Sequence, residues 1–478
     1  MFNILKKKKK VKLEKSLSPI NVFSLAVGSI IGWGTFVMPG NLFLKTAGPL
    51  GTAIGMAIGA LIMSIIAISY GYMVEKFPVA GGEFAFSFKG FGRNHAFVCA
   101  WLLGLSYLSI VPLNATALAM IGRYMFPGVL QRGLMYSIAG WEVYLGEVLF
   151  ASIALIIFAI TSIKGIKVSG VLQTIMSFIL VGAILILTIV AFLRTDNPID
   201  NLKPFFGEGI PPLSGILTIV AIAPWAYVGF DSIPQAAEEF DFSPKKALKI
   251  MIAAIVFGGL MYISMNTVTA MVLPWDSAME GNPFWITGDA IESLLGNVGL
   301  VLLGLALISA IIAGIIGFYM AASRLLLSMA RAKALPSWFG KIHPKYHTPV
   351  NALKFVLLIS LITPWFGRQV LTWVVDMASI GAAIGYFYTS ASAFKFLRKE
   401  KGKMYLKIFS VLGCILAIGF VLLLIVPGMP AYLSLPSRIA LFVWIALGII
   451  FYISIRKSYQ ELPREELNRL IIKRQVEK

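Results

Sequence analysis

Apolar residues along this chain neither alternate nor recur in short amphipathic blocks. They run in long stretches separated by short polar connections. Hydropathy places twelve such runs at about 19–44, 51–76, 94–125, 144–163, 167–193, 213–238, 246–273, 296–331, 349–366, 369–394, 404–426 and 435–456. Each is long enough, or nearly so, to cross a bilayer as a helix. A membrane β-barrel would instead show short segments of alternating polarity. The pattern predicts an all-α polytopic membrane protein with no soluble domain. The predicted organisation is a basic tail (1–18), five spans (19–193), five more (213–394), two further helices (404–456) and a second tail (457–478).

Two of the runs are irregular. The first carries "VGSIIGWGTF", Val27–Phe36, with glycines at 28, 32 and 34. Each glycine costs a helix interior roughly 0.8–1 kcal/mol relative to alanine. The sixth carries "APWAYVGFDS", Ala223–Ser232, where Pro224, Gly229 and Asp231 interrupt an apolar segment. These runs lie five apart. Broken helices at matching positions of two five-helix halves point to an inverted repeat with its binding site at the membrane midplane. The predicted breaks fall at Gly32, Gly34, Pro224 and Gly229. Freed backbone groups there can hold a ligand instead of each other. By contrast, "GTAIGMAIG" in the second run, with Gly51, Gly55 and Gly59 four apart, is explained by close helix packing alone.

Composition agrees: 58% of residues are hydrophobic, 13% are charged, and mean hydropathy is +0.85. A net charge of +19 would suggest nucleic acid in a soluble protein. Here its placement excludes that reading. With the N-terminus inside, only Lys45, Arg123, Arg132, Arg194, Lys203, Arg368 and Arg438 fall outside; the rest of the 41 basic residues face the cytoplasm. This asymmetry puts both termini inside, against anionic inner-leaflet lipids. Met1–Lys15 lacks a short apolar region and cleavage site, and reads as a retained tail. Cys99 and Cys414 lie in apolar runs and imply neither a disulfide framework nor a metal site. His95, His343 and His347 map to the cytoplasmic edge, and Pro344 breaks any helical metal face between the last two. No metalloprotease, nucleophile-elbow or filter-like carbonyl motif is present, so neither an enzyme nor a channel is expected.

Four further segments carry a family resemblance. "GSIIGWGTFVMPG" is followed by "FPVAGGEFAFSFKGFG" (Phe77–Gly92), "WAYVGFDSIPQAAEEFDFSPKKALKI" and "ASRLLLSMARAKALPSWFGKIHPKYHTPVNAL". In this order and spacing, over about residues 20–400, the chain resembles the amino acid–polyamine–organocation permeases. The resemblance implies a leucine-transporter-like fold, two inverted five-helix repeats plus two helices. It also implies that the substrate carboxylate binds backbone amides of the first break, here Trp33, Gly34 and Thr35. The ammonium would bind the carbonyls of Ile30, Trp225 and Val228. Helix-end dipoles suit both charges. Side-chain candidates are Ser106, Tyr107 and Asn114 in the third span, Phe318 in the eighth and Ala378 in the tenth, with Trp225 as an aromatic lid.

Two departures matter. Trp33 stands where the family has a small residue, and its indole either narrows the pocket or points into a neighbouring helix. The position of a fifth-span coupling lysine in some members is Leu180 here, which puts that mechanism in doubt. Among acidic residues, Asp231 lies deepest and is either a proton carrier or a cap for the broken backbone. Asp376 faces a vestibule or a cationic substrate. Glu75, Glu238 and Glu239 are expected to form ion pairs that close an inner gate. The expected function is a plasma-membrane secondary transporter of amino acids or related amines working by alternating access. Its coupling is to protons, to sodium or to solute exchange, and it uses no cofactor. The alternatives are a polyamine or organic-cation permease and a non-transporting nutrient sensor. Oligomeric state is left open.

Overall fold

The computed structural model describes residues 13–138, 140–280, 285–367, 369–429 and 431–472, so the Lys6–Lys10 run and Arg368 lie outside the described residues. The chain is helical almost throughout. Its opening helices are α1 (Pro19–Ile31) and α2 (Gly34–Met38); a wide turn over Pro39–Phe43 leads into α3 (Leu44–Lys76). Ser18 caps α1, its hydroxyl accepting the Asn21 amide while the Asn21 side chain bonds back to the Ser18 backbone. After α3 come α4 (Gly82–Phe91) and α5 (Arg93–Met125). A hairpin of β1 (Leu134–Ile138) and β2 (Trp141–Tyr144) precedes α6 (Leu145–Ile163) and α7 (Ile166–Arg194).

The second half opens with α8 (Pro198–Asn201), α9 (Pro212–Ala221), α10 (Ala223–Ala226) and α11 (Ser232–Gln235). It continues with α12 (Ala247–Val272), α13 (Trp275–Glu280), α14 (Ile286–Arg331), α15 (Val350–Ser360) and α16 (Gln369–Leu397). The chain ends with α17 (Met404–Ile425), α18 (Leu435–Gln460) and α19 (Arg464–Ile472). Among the described residues, nine helical stretches are long and apolar enough to cross a membrane. The protein is therefore a multi-pass membrane protein.

Several predicted boundaries differ. The connection after Lys76 holds α4, and the one before α6 holds the hairpin. α14 begins ten residues before the predicted span and bends at Gly296 (φ 57°), where the apolar run starts. α3 begins before its predicted span and bends at Gly48, ahead of Pro49. Both tails are partly docked. Leu13 and Leu17 are buried, and Leu17 pairs in parallel with Phe240. α19 buries Leu467, Ile471 and Ile472.

α1 packs against α7, α12 and α14, while α14 also packs against α5 and α7. This layering places the first break at the centre of the bundle. Gly55 and Gly59 meet α9 and α10 as the packing reading expects: added β-carbons would lie 2.6 Å from Ile219 Cβ and 3.0 Å from Ala223 Cβ. α18 stands at the opposite extreme and is mostly uncovered by protein.

Candidate functional site

The first break is a backbone event. Gly32 adopts φ 48°, ψ −174°, so α1 stops at Ile31 and α2 starts at Gly34, after a gap of two residues. The Thr35 hydroxyl donates to the Ile31 carbonyl at 2.5 Å and bridges the gap. The amides of Phe36 and Val37 both donate to the Trp33 carbonyl, at 3.1 and 3.2 Å. The first amides of α2, from Gly34 and Thr35, sit where a helix has no intrahelical acceptor and its dipole is positive.

The second break spans Tyr227–Asp231, between α10 and α11, with Gly229 at φ 131°. Pro224 acts one turn earlier. Lacking an amide, it cannot donate to the Val220 carbonyl of the preceding turn, while the Ile222 carbonyl accepts the amides of Trp225 and Ala226, at 3.0 and 2.9 Å. Asp231 holds the break together. Its Oδ1 accepts the Gly229 amide at 2.7 Å, and the Ser232 hydroxyl donates to the Gly229 carbonyl at 2.5 Å. The capping role considered for Asp231 is therefore present in the structure.

The two breaks touch. A β-carbon at Gly229 would lie 2.7 Å from Ser29 Cβ and 2.9 Å from the Ile30 amide nitrogen. A β-carbon at Gly34 would lie 2.4 Å from Trp225 Cη2 and 3.2 Å from the Tyr262 hydroxyl. The indole of Trp225 thus rests on the Gly34 backbone. Trp33 turns toward it, with ring centroids 5.9 Å apart and planes at 59°. Both rings are buried. Tyr262, a residue the sequence did not single out, donates to the Ile30 carbonyl at 3.3 Å. The Trp225 carbonyl accepts the Val228 amide at 3.2 Å.

Other predicted residues divide into two groups. Tyr107 joins Asp231, its hydroxyl donating to Oδ2 at 3.0 Å, and its ring lies 6.0 Å from that of Phe318. Ser106 and Asn114 sit instead at contacts of α5 with other helices. Ser106 abuts Gly381 of α16, and the Asn114 amide abuts Gly314 of α14 while donating to the Ile110 carbonyl at 2.9 Å. Ala378 is fully buried in α16, the helix on which α10 packs. Leu180 is buried in α7; near the Gly28 turn, α7 presents Gln173 and Ser177 to α1, and Ser177 donates to the Ser24 carbonyl at 2.9 Å.

The acidic residues are resolved differently from one another. Glu83, unremarked in the sequence, is a second fully buried carboxylate. Its Oε2 accepts the Gln235 amide at 2.5 Å, and its Oε1 lies 3.5 Å from the Tyr107 hydroxyl. Neither Glu83 nor Asp231 belongs to an ion pair among the described residues. One tyrosine hydroxyl therefore stands between two buried carboxylates. Glu239 forms a buried bidentate pair with Arg324, at 2.8 and 3.0 Å, and Glu238 pairs with Arg331 at 2.8 Å. These rungs tie α14 to the segment that follows α11. Glu75 joins no ion pair among the described residues; its neighbour Lys76 binds Glu400. Asp376 is half-buried in α16. Its Oδ2 accepts the Ser434 amide, the Ser434 hydroxyl and the Ser437 hydroxyl, at 3.3, 3.2 and 2.7 Å, and fastens α16 to the start of α18.

Outside the spans, Glu400 is held down to about 2, by Lys76 foremost and by Lys403 and Tyr72 after it. It anchors the C-terminal end of α3 to the loop after α16.

Comparison with known proteins matches this architecture to the amino acid permease family over residues 17–455. The methylthioribose transporter of Bacillus subtilis (strain 168) is 24% identical over 475 residues, covering 95% of each chain. The branched-chain amino acid permease BcaP of the same organism is 25% identical, covering 94% of this chain and 95% of its own. Its amino-acid permease RocC is 24% identical, covering 82% of each. Transporters and permeases are the company this chain keeps, and it is a membrane transporter rather than an enzyme. The paired helix breaks, the glycine-rich segment before α4 and the full-length match lead to one assignment: the chain belongs to the amino acid permease family.

Proposed function

We propose that the chain is a secondary active transporter carrying an amino acid across the plasma membrane by alternating access, with both termini cytoplasmic. Its twelve spans would be α1 with α2, α3, α5, α6, α7, α9 through α11, α12, α14, α15, α16, α17 and α18. The first ten form two inverted five-helix repeats. The observation that carries this reading is the meeting of the two breaks, where Gly229 lies on Ser29–Ile30 and Trp225 lies on Gly34.

In this reading the substrate carboxylate binds the amides of Trp33, Gly34 and Thr35. The ammonium binds the carbonyls of Ile30, Trp225 and Val228. Trp225 is the lid, and it swings off Gly34 to admit the carboxylate. Tyr262 and the Val228 amide occupy two of the ammonium's carbonyls and release them when substrate enters. Trp33, turned toward Trp225, narrows the pocket and favours small side chains. A site built from backbone reads the amino-acid head group and leaves the side chain to the surrounding residues.

Asp231 is the coupling candidate. One oxygen caps the second break and the other faces Tyr107, so a proton on Asp231 changes the bonding of the broken helix itself. Tyr107 connects it toward Glu83, which sits on the inner side in this topology. The pairs Arg324–Glu239 and Arg331–Glu238 close that inner side in the conformation described.

The test is uptake of a labelled amino-acid panel into proteoliposomes, with and without imposed proton or sodium gradients. Gradient-driven accumulation of one or more amino acids is the expected result. Specific binding with no flux under any gradient would make the protein a sensor on the same fold.

A further inference from the structure

We propose that the groove between α5 and α18 is a binding site for an anionic phospholipid of the cytoplasmic leaflet, with one acyl chain between the helices and the headgroup on Arg456 and Lys457. The groove has a volume of about 260 Å³ and is walled by Phe97, Val98, Trp101, Ile445, Ile449 and Tyr452. Its back wall is fixed. Trp101 Nε1 donates to the Trp444 carbonyl and Trp444 Nε1 to the Trp101 carbonyl, both at 2.9 Å, with the rings stacked 4.8 Å apart. Phe97 stacks on Trp101 at 5.7 Å. Both indole N–H groups are satisfied within the wall, so apolar ring faces and edges line the groove.

Polarity changes at one end only. The Tyr452 hydroxyl donates to Asn94 Oδ1 at 2.8 Å, and Gln460 Nε2 donates to that hydroxyl at 3.1 Å. One helical turn beyond Tyr452, the surface of α18 presents Ile453, Arg456, Lys457, Gln460 and Glu461. Arg456 and Lys457 are exposed there. They form no ion pair among the described residues, and the one carboxylate in that group is Glu461. An apolar slot with a rigid aromatic wall, a hydrogen-bonding threshold and a cationic mouth matches a phospholipid in the order chain, ester region and anionic headgroup. The mouth is on the basic side of the molecule, where the leaflet is anionic. This site is separate from the helix breaks; it rests on the proposed orientation with both termini cytoplasmic and not on what is transported.

Tryptophan quenching by brominated lipids tests it directly. The full chain is reconstituted in vesicles of equal parts phosphatidylcholine and phosphatidylglycerol, with brominated chains on one lipid or the other. Brominated phosphatidylglycerol is expected to quench more strongly. An interaction of order 1 kcal/mol per basic side chain near the surface corresponds to about fivefold preference for each. The double variant Arg456→Gln, Lys457→Gln should lose the preference. Val98→Phe with Ile449→Phe keeps the basic mouth but fills the slot, and should also lose it. A preference that survives slot filling is diffuse surface attraction and overturns the site. So does equal quenching by the two lipids in the parent. Cross-linking of two copies through cysteines on α18, with no quenching by either lipid, would show that a second chain occupies the face and would equally overturn the proposal.

Discussion

Gly34→Ala is the most searching single change. The added methyl carbon falls 2.4 Å from Trp225 Cη2, more than an ångström inside ordinary carbon contact. The obstacle is the far end of a side chain and not backbone, so the indole can move. Overpacking of this kind costs about 1–3 kcal/mol, which a folded protein of ordinary stability survives. Transport should suffer more. The methyl sits beside the amides proposed to hold the carboxylate, and losing a charge-assisted hydrogen bond costs about 1.5–3 kcal/mol, or about 10- to 100-fold in half-saturation. Gly34→Val should abolish uptake. The assay is substrate counterflow in proteoliposomes beside a thermal melt in detergent. The decisive variant is Gly34→Ala with Trp225→Phe, in which the smaller ring relieves the clash. Thermal stability should return while half-saturation stays raised. Full recovery of transport in the double variant would mean that Gly34 serves packing alone, and the amide site would be refuted.

Other consequences follow from the polar groups. Asp231→Asn can still accept the Gly229 amide, so counterflow should persist while accumulation driven by a pH gradient is lost; accumulation like the parent's would remove Asp231 as the proton site, and joint loss of binding and counterflow would leave it a structural cap. Arg324→Gln leaves Glu239 buried without its partner and should cost about 3–5 kcal/mol. Adding Glu239→Gln should recover part of that loss, and a melt showing additive losses would contradict the coupling. Because Glu400 is held down to about 2, below the ordinary glutamate value near 4.3, its stabilisation is fully present above the ordinary value and fades as pH falls toward 2. The pair is partly exposed, so Glu400→Gln should lower stability by less than about 1 kcal/mol at pH 7 and by progressively less as pH falls toward and through 2; an equal effect at both pH values would contradict this.

The long apolar helices and both breaks were legible because each is written locally. Long apolar runs mark the helices, and Gly32 and Gly229 stand where positive φ is needed. The segment "FAFSFKGF" was not legible as a helix, since its phenylalanines at 84, 86 and 88 alternate as in a strand. It is helical and buried nearly all round, which erases amphipathic periodicity. Glu83 reads as one polar residue after two glycines; its burial is created by Gln235 and Tyr107, far away in sequence. Tyr262 lies in an apolar run, and its hydroxyl acquires meaning only against the Ile30 carbonyl. The bonds of Asp376 were hidden for the same reason, because its partners at Ser434 and Ser437 lie a helix away. Ser106 and Asn114 were placed by alignment along α5, which does not show that their neighbours are Gly381 of α16 and Gly314 of α14.

The central claim is that the backbone at the meeting of the two breaks reads an amino-acid head group. The most direct measurement is competition in counterflow, comparing a transported amino acid with its decarboxylated amine and with its deaminated acid. Each analogue lacks one charge and should compete at least about tenfold more weakly than the parent, the loss expected for one charge-assisted contact. If the decarboxylated amine competes as well as the amino acid, the first-break amides do not hold a carboxylate, and the protein is a carrier of organic cations.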